Sequence, residues 1–343
     1  MKQPVLLPSA QWADYGSSSG VGQWLPDPLG PEYSYTTLDF GFDAEGPAVA
    51  TVVRYQPAGL VKKLLNRSRG VVLSLHGWSD YFYNRQLAEF WHELGYHFYA
   101  LDLRRYGRSL RAEHELPGYT DDLSEYDQEI NAAYDLIRDA HPKLPILFMG
   151  HSLGGLVLSL WAQRSTRKID GLVLNAPWLE FQGTQFLRVP AQTILEPMVK
   201  RSPRRKLHLP ELDHYWTSLS RDGSGEWDLH PLWRPRYAFR PTTGWMRTVL
   251  EGHAQVAKGL DLSEPIVVLT SEKSHFSASY DQLMQRTDSI VDVNLVRQRS
   301  LKLGRFVTNL TVPEAMHDVF TSAEPARAMA YRNLACWVRM LQH

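Results

Sequence analysis

The hydrophobic pattern divides the chain into stretches with different periods. Over residues 1–35 the apolar positions follow no period and are interrupted by Gly16, Gly20, Gly22, Pro26, Pro28 and Pro31, which predicts an irregular N-terminal arm. Two alternating segments follow, 35–42 and 48–55, with the period of two expected of an antiparallel pair at a sheet edge. Beyond them come short apolar runs with little alternation, at 70–75, 96–101, 145–149, 171–174, 265–269 and 306–312. Such runs mark strands buried on both faces of a parallel sheet.

Amphipathic segments at 86–94, 123–140 and 153–164 alternate with these strands, and a last helix is predicted at 325–341. Strand and helix in succession give βαβ units, hence an α/β sandwich of three layers. The rhythm stops between Pro177 and Ser263, and a strandless stretch of roughly 85 residues is too long for an ordinary connection. It holds Trp178, Trp216, Trp227, Trp233 and Trp245. The expected organisation is therefore an arm over 1–35, a core over 36–176 and 264–343, and a cap over 177–263. The cap would lie at the carboxyl ends of the strands, where open α/β sheets hold ligands.

Composition narrows the picture a little. With 343 residues, 43% of them hydrophobic, the chain can bury one large core. Its 37 Lys and Arg balance 37 Asp and Glu, so no global field draws it to nucleic acid or to an anionic membrane. The basic run Lys200-Arg201-Ser202-Pro203-Arg204-Arg205-Lys206 reads as a solvated face. The first residues hold Lys2, Pro4 and Pro8 without a long apolar run, unlike a signal peptide, and no segment reaches the ~18 apolar residues of a membrane span. A cytoplasmic protein without stable membrane insertion is expected. Cys336, the only cysteine, cannot form an internal disulfide and is expected as a small buried hydrophobe. No His or Cys pair has zinc spacing, so neither metal nor cofactor is expected.

Gly150-His151-Ser152-Leu153-Gly154, followed by Gly155, fits G-x-S-x-G in the context that gives it meaning, a strand ending at 149 and a helix beginning at 153. A sharp strand-to-helix turn lifts the Ser152 hydroxyl clear of the sheet as a nucleophile. The new helix aims free N–H groups at a reacting carbonyl, so the Leu153 N–H is one candidate oxyanion donor. A second must come from a neighbouring loop, and His76-Gly77-Trp78 offers the Trp78 N–H; His76 itself reads as a structural hydrogen-bonding group. Of the 13 histidines, His317 lies just after the last predicted strand, where the chain order Ser, acid, His puts a general base. An imidazole there can take the serine proton and return it to the leaving group.

Taken together, Leu75-His76-Gly77, Asp102-Leu103-Arg104-Arg105-Tyr106-Gly107-Arg108-Ser109, the Ser152 motif and the His317 loop resemble the monoacylglycerol lipase and lysophospholipase branch of α/β-hydrolases, also labelled serine aminopeptidase-like. The resemblance implies the α/β-hydrolase fold, a mostly parallel eight-stranded sheet between helices with an inserted helical lid after the sixth strand. It implies a serine hydrolase cleaving carboxylic esters, with an apolar acyl ester as substrate. A peptidase or amidase using the same triad, and a hydrolase-like binding protein, are the alternatives; a homodimer is left open. Two positions depart from the family pattern. Arg105 stands for a glycine in the Asp-x-x-Gly-x-Gly-x-Ser turn. Ser274 stands where the triad acid usually sits. Treating 277–286 as an insertion restores the usual acid-then-aliphatics arrangement at Asp288, which is the expected acid. Asp292 is the runner-up and Glu272 the third choice.

Overall fold

The computed structural model describes residues 22–57, 68–181 and 196–341; residues 1–21 of the expected arm and 182–195 of the expected cap lie outside the described residues. The strands are β1 (Leu25–Pro26), β2 (Tyr33–Asp43), β3 (Gly46–Tyr55), β4 (Gly70–Leu75), β5 (Tyr96–Asp102), β6 (Ile146–His151), β7 (Gly171–Asn175), β8 (Ile266–Ser271) and β9 (Val307–Val312). They form one sheet of nine in the order β1-β2-β3-β5-β4-β6-β7-β8-β9. β1, β2 and β3 run antiparallel and β3 pairs antiparallel with β5, while every pairing from β5 to β9 is parallel.

The ninth strand is the two-residue β1, which comes from the segment read as an irregular arm. Its period was illegible because Pro26 and Pro28 leave room for two ladder residues only. This part of the arm is nonetheless anchored. Asp27 is buried and receives Nε and Nη2 of the buried Arg108 at 2.6 and 3.0 Å, while Arg108 Nη1 donates to Asp102 at 2.8 Å.

Central strands bury both faces, as their unbroken apolar runs require. Val71, Leu73, Ile146 and Phe148 join one core cluster; Val72, Leu147 and Met149 join the other. The first face is covered by α2 (Tyr126–Ala140), α3 (Leu153–Arg164) and α5 (Thr243–Lys258), through Ile130, Leu156, Trp161 and Val249. The second is covered by α1 (Arg85–Glu93) and α7 (Glu324–Met340), through Trp91, Leu334 and Trp337. Two further helices are α4 (His214–Leu219), in the stretch 177–263, and α6 (Val293–Ser300), and residues 196–201 are helical as well. β9 is one edge of the sheet and mostly half-buried, and Phe306 beside it is solvent-facing. Cys336 is exposed, against expectation. Its apolar neighbours Leu334, Ala335, Trp337 and Val338 take the buried stripe of α7, and the helical period turns position 336 outward.

Among the described residues no helix is long and apolar enough to cross a membrane. The strand order reverses at β4, whose chain continuation β5 lies on one side and β6 on the other. Loops leaving β4 and β6 therefore open at the topological switch point, the edge at which such sheets bind ligands.

Candidate active site

Ser152 occupies the turn between β6 and α3 with φ +51° and ψ −116°. A non-glycine residue in this region is strained by ~1–3 kcal/mol and persists only when its surroundings over-determine it. Here the Ser152 N–H donates to the Asn175 carbonyl at 3.0 Å, and the Ser152 carbonyl accepts from the Trp178 N–H at 2.9 Å. Small neighbours are also required: a Cβ on Gly150 would lie 2.7 Å from the Gly154 backbone. Across the site, a Cβ on Gly77 would come within 3.1 Å of both Ser152 Cβ and His151 Nδ1. That close approach brings the loop after β4 against the serine. Among the described residues, neither the Trp78 nor the Leu153 backbone N–H has a hydrogen-bond acceptor.

His76 holds this loop from below. Its Nε2 accepts the Leu103 N–H at 3.1 Å, so the proton sits on Nδ1, which donates to the Gly77 carbonyl at 2.8 Å. Burial pushes its pKa down, in keeping with a neutral ring whose two nitrogens are both used. Arg105 adopts φ +63°, the left-handed conformation a glycine would favour there. Its guanidinium secures the turn by donating to the Tyr119 carbonyl at 2.8 Å and pairing with Asp43.

His317 follows β9 on a loop pinned by polar contacts to β7 and within itself. Asn175 Nδ2 donates to Asp318 at 2.6 Å, Asn175 Oδ1 accepts the Val319 N–H at 3.2 Å, and Ser322 Oγ accepts the Met316 N–H at 2.8 Å. The imidazole is buried and its centroid lies 5.0 Å from that of His151, the residue before Ser152. Its Nδ1 is 2.9 Å from Asp288 Oδ2. The other Asp288 oxygen accepts the Ile290 and Val291 N–H groups, each at 2.8 Å, and the residue is fully buried.

The stretch after β8 loops out and returns beside its start. A short 3₁₀ turn (Gln282–Gln285) and a 2.7 Å contact between His275 Nε2 and Asp281 close the excursion. Asp288 then forms an isolated parallel bridge with Ser274, so the carboxylate lies alongside the position held by serine. The other two acids are engaged elsewhere. Asp292 caps α6 by accepting from Asn294 and Leu295, and Glu272 is exposed beside Lys273 at 3.5 Å.

Several residues of this region carried no signal in the sequence. Asp80 lies 3.3 Å from His151 Nδ1 and pairs with Arg234, in the stretch between β7 and β8. Burial opposes ionisation of Asp80, but the Arg234 guanidinium and His151 outweigh it and hold the carboxyl well below the usual carboxylate range. An ion pair joining positions 80 and 234 leaves no local pattern. Asn175 could have been found as the polar residue ending an apolar strand. An aromatic cluster rises above the serine loop, with Trp78 and Trp245 centroids 3.8 Å apart and Trp178 5.9 Å from Trp245. Among the described residues no group of three or more His, Cys, Asp or Glu side chains is arranged to hold a metal.

Comparison with known proteins agrees with the fold. The family described as "Serine aminopeptidase, S33" matches residues 66–324. A monoacylglycerol lipase of Mycolicibacterium smegmatis is 31% identical over 273 residues, 79% of this chain and 88% of that protein. The phospholipase YtpA of Bacillus subtilis is 34% identical over 119 residues, a match spanning 34% of this chain and 44% of that relative's length. Among solved structures, a soluble variant of monoglyceride lipase from Saccharomyces cerevisiae, in complex with a substrate analog, superposes with a TM-score of 0.62 at 16% identity, over 89% of this chain and 96% of that one. The chain thus belongs to the serine aminopeptidase S33 family of α/β-hydrolases and is monoacylglycerol lipase- and phospholipase-like within it.

Proposed function

We propose that the protein is a serine hydrolase that cleaves carboxylic esters of the monoacylglycerol or lysophospholipid type through an acyl-enzyme, with Ser152 as nucleophile, His317 as general base and Asp288 as orienting acid. The observation that carries the reading is the 2.9 Å contact of His317 Nδ1 with the buried Asp288, on a loop beside the strained Ser152 elbow. A carboxylate only accepts, so the proton sits on Nδ1 and Nε2 keeps its lone pair. Nε2 is buried and makes no hydrogen bond among the described residues, Ser152 Oγ included, so it is free to take the serine proton once Oγ turns toward it.

In the first half-reaction Ser152 Oγ attacks the ester carbonyl carbon while its proton passes to His317 Nε2. The carbonyl electron pair moves onto oxygen, where the Trp78 and Leu153 N–H groups stabilise the anion. Collapse breaks the bond to the alcohol, which leaves with the proton from Nε2, and the acyl group stays on Ser152. Water then repeats the sequence and releases the acid. Asp288 holds the tautomer and stabilises the imidazolium. The aromatic cluster of Trp78, Trp178 and Trp245, with Phe239 against Trp78, supports an apolar acyl chain beneath a cap over 177–263.

A substrate panel tests the reading. Short and medium p-nitrophenyl esters and monoacylglycerols are expected to turn over faster than any aminoacyl amide, and Ser152→Ala to lose activity by several powers of ten. Faster cleavage of aminoacyl amides than of every ester would replace the esterase reading with a peptidase one.

A further inference from the structure

The loop after β4 and the segment 230–239 are tied by four polar contacts that the reaction above does not use. The Trp78 indole Nε1–H donates to the Phe239 carbonyl at 3.2 Å, and the Phe239 N–H donates back to Ser79 Oγ at 3.1 Å. The His230 N–H donates to the Tyr81 hydroxyl at 3.0 Å, and Arg234 pairs with Asp80. Every residue from 78 to 81 is thus held by the same cap-region segment. Arg234 also reaches the site from the other side, its guanidinium 5.3 Å from the Tyr215 ring, whose centroid is 5.6 Å from that of His317.

Two physical arguments turn this stitching into a role. Ser79 has φ +52°, a left-handed conformation unfavourable for an L residue that persists only where neighbours impose it. The contacts to Phe239 and, through Asp80, to Arg234 impose it, directly after the Trp78 N–H. The pair of Arg234 and Asp80 is buried on both sides, and a buried ion pair contributes little net stability compared with an apolar pair of similar size. Its value therefore lies in fixing geometry. We infer that Arg234 is a positioning residue that latches the cap-region segment onto the loop 78–81 and so holds the Trp78 N–H toward the oxyanion. The inference rests on the proposed role of Trp78 as an oxyanion donor.

The test compares Arg234→Ala, the double variant Asp80→Asn/Arg234→Met, which leaves no buried charge unpaired, and Arg236→Ala as a control in the exposed pair with Asp213. Removal of one oxyanion donor costs on the order of 10²–10³ in kcat, so a misplaced donor is expected to lower kcat about 10²-fold with KM within about threefold. Added guanidinium ion should recover about tenfold in Arg234→Ala and nothing in the double variant, which lacks the carboxylate; Arg236→Ala should match wild type. Amide exchange at 78–81 should quicken in both Arg234 variants. Should the single variant fail to fold, the double variant decides. A folded variant with kcat within about threefold of wild type, a loss confined to KM, or unchanged exchange at 78–81 overturns the latch. A wild-type protein without esterase activity would overturn the hydrolase reading instead, and the exchange measurement would still decide whether the segment holds the loop.

Discussion

Asp288 and Asp292 are separated by one turn of chain, and what their carboxylates touch assigns them different work. Asp288 meets His317 and two backbone N–H groups in a buried setting, whereas Asp292 satisfies the first N–H groups of α6. Asp288→Asn is accordingly expected to lower kcat by ~10⁴ at nearly unchanged stability, because an amide permits the wrong imidazole tautomer. Asp292→Ala should leave kcat close to wild type and cost about 0.5–2 kcal/mol of stability through the lost cap. Parallel kcat and urea-unfolding measurements check both, and the opposite assignment of effects would move the acid to Asp292. A second residue-scale expectation concerns His230. Burial, and then the charge of Arg108, hold its pKa down to about 4, and its Nδ1 accepts the Leu232 and Trp233 N–H groups at 3.3 Å, which a protonated ring could not do. The unfolded chain binds that proton near pH ~6.5, so the neutral ring's contribution is complete above that pH and is lost as pH falls toward about 4. The slope of Tm against pH in that window should be shallower in His230→Asn than in wild type. An identical slope would remove His230 from the account.

At the scale of elements, strands with two buried faces and helices with one apolar stripe were legible because their periods are local. The predicted 70–75 and 153–164 coincide with β4 and α3, and the others differ at their ends by one to three residues. The placement of Ser152 and His317 was legible for a related reason, since an elbow motif and a loop after the last strand are both defined by sequence next to a strand. Long-range partners were not. Nothing near Asp27 announces that it pairs with Arg108, and nothing near Arg234 announces Asp80. Asp288 stood between these cases, reachable only by treating 277–286 as an excursion. The Asp27 contact has a measurable consequence. Arg108 is buried between Asp27 and Asp102, and losing one partner of a buried charge costs on the order of 3 kcal/mol. Asp27→Ala should show that loss in urea unfolding, and a change below about 0.5 kcal/mol, typical of a surface site, would mean the arm is not anchored there.

For the whole molecule, the parts that meet at the switch point come from distant stretches of chain. β4 supplies the Gly77 and Trp78 loop, β6 supplies Ser152, the excursion after β8 supplies Asp288, and the loop after β9 supplies His317. Segment 230–239 closes over the first of these. The central claim is that these pieces make Ser152 an activated nucleophile served by His317 and Asp288. Its most direct test is reaction with a fluorophosphonate followed by peptide mapping by mass spectrometry. The account predicts one stoichiometric adduct on Ser152, formed rapidly by wild type and slowed by orders of magnitude in Asp288→Asn and His317→Ala. An adduct on another residue, or none on the folded wild-type protein, would contradict it.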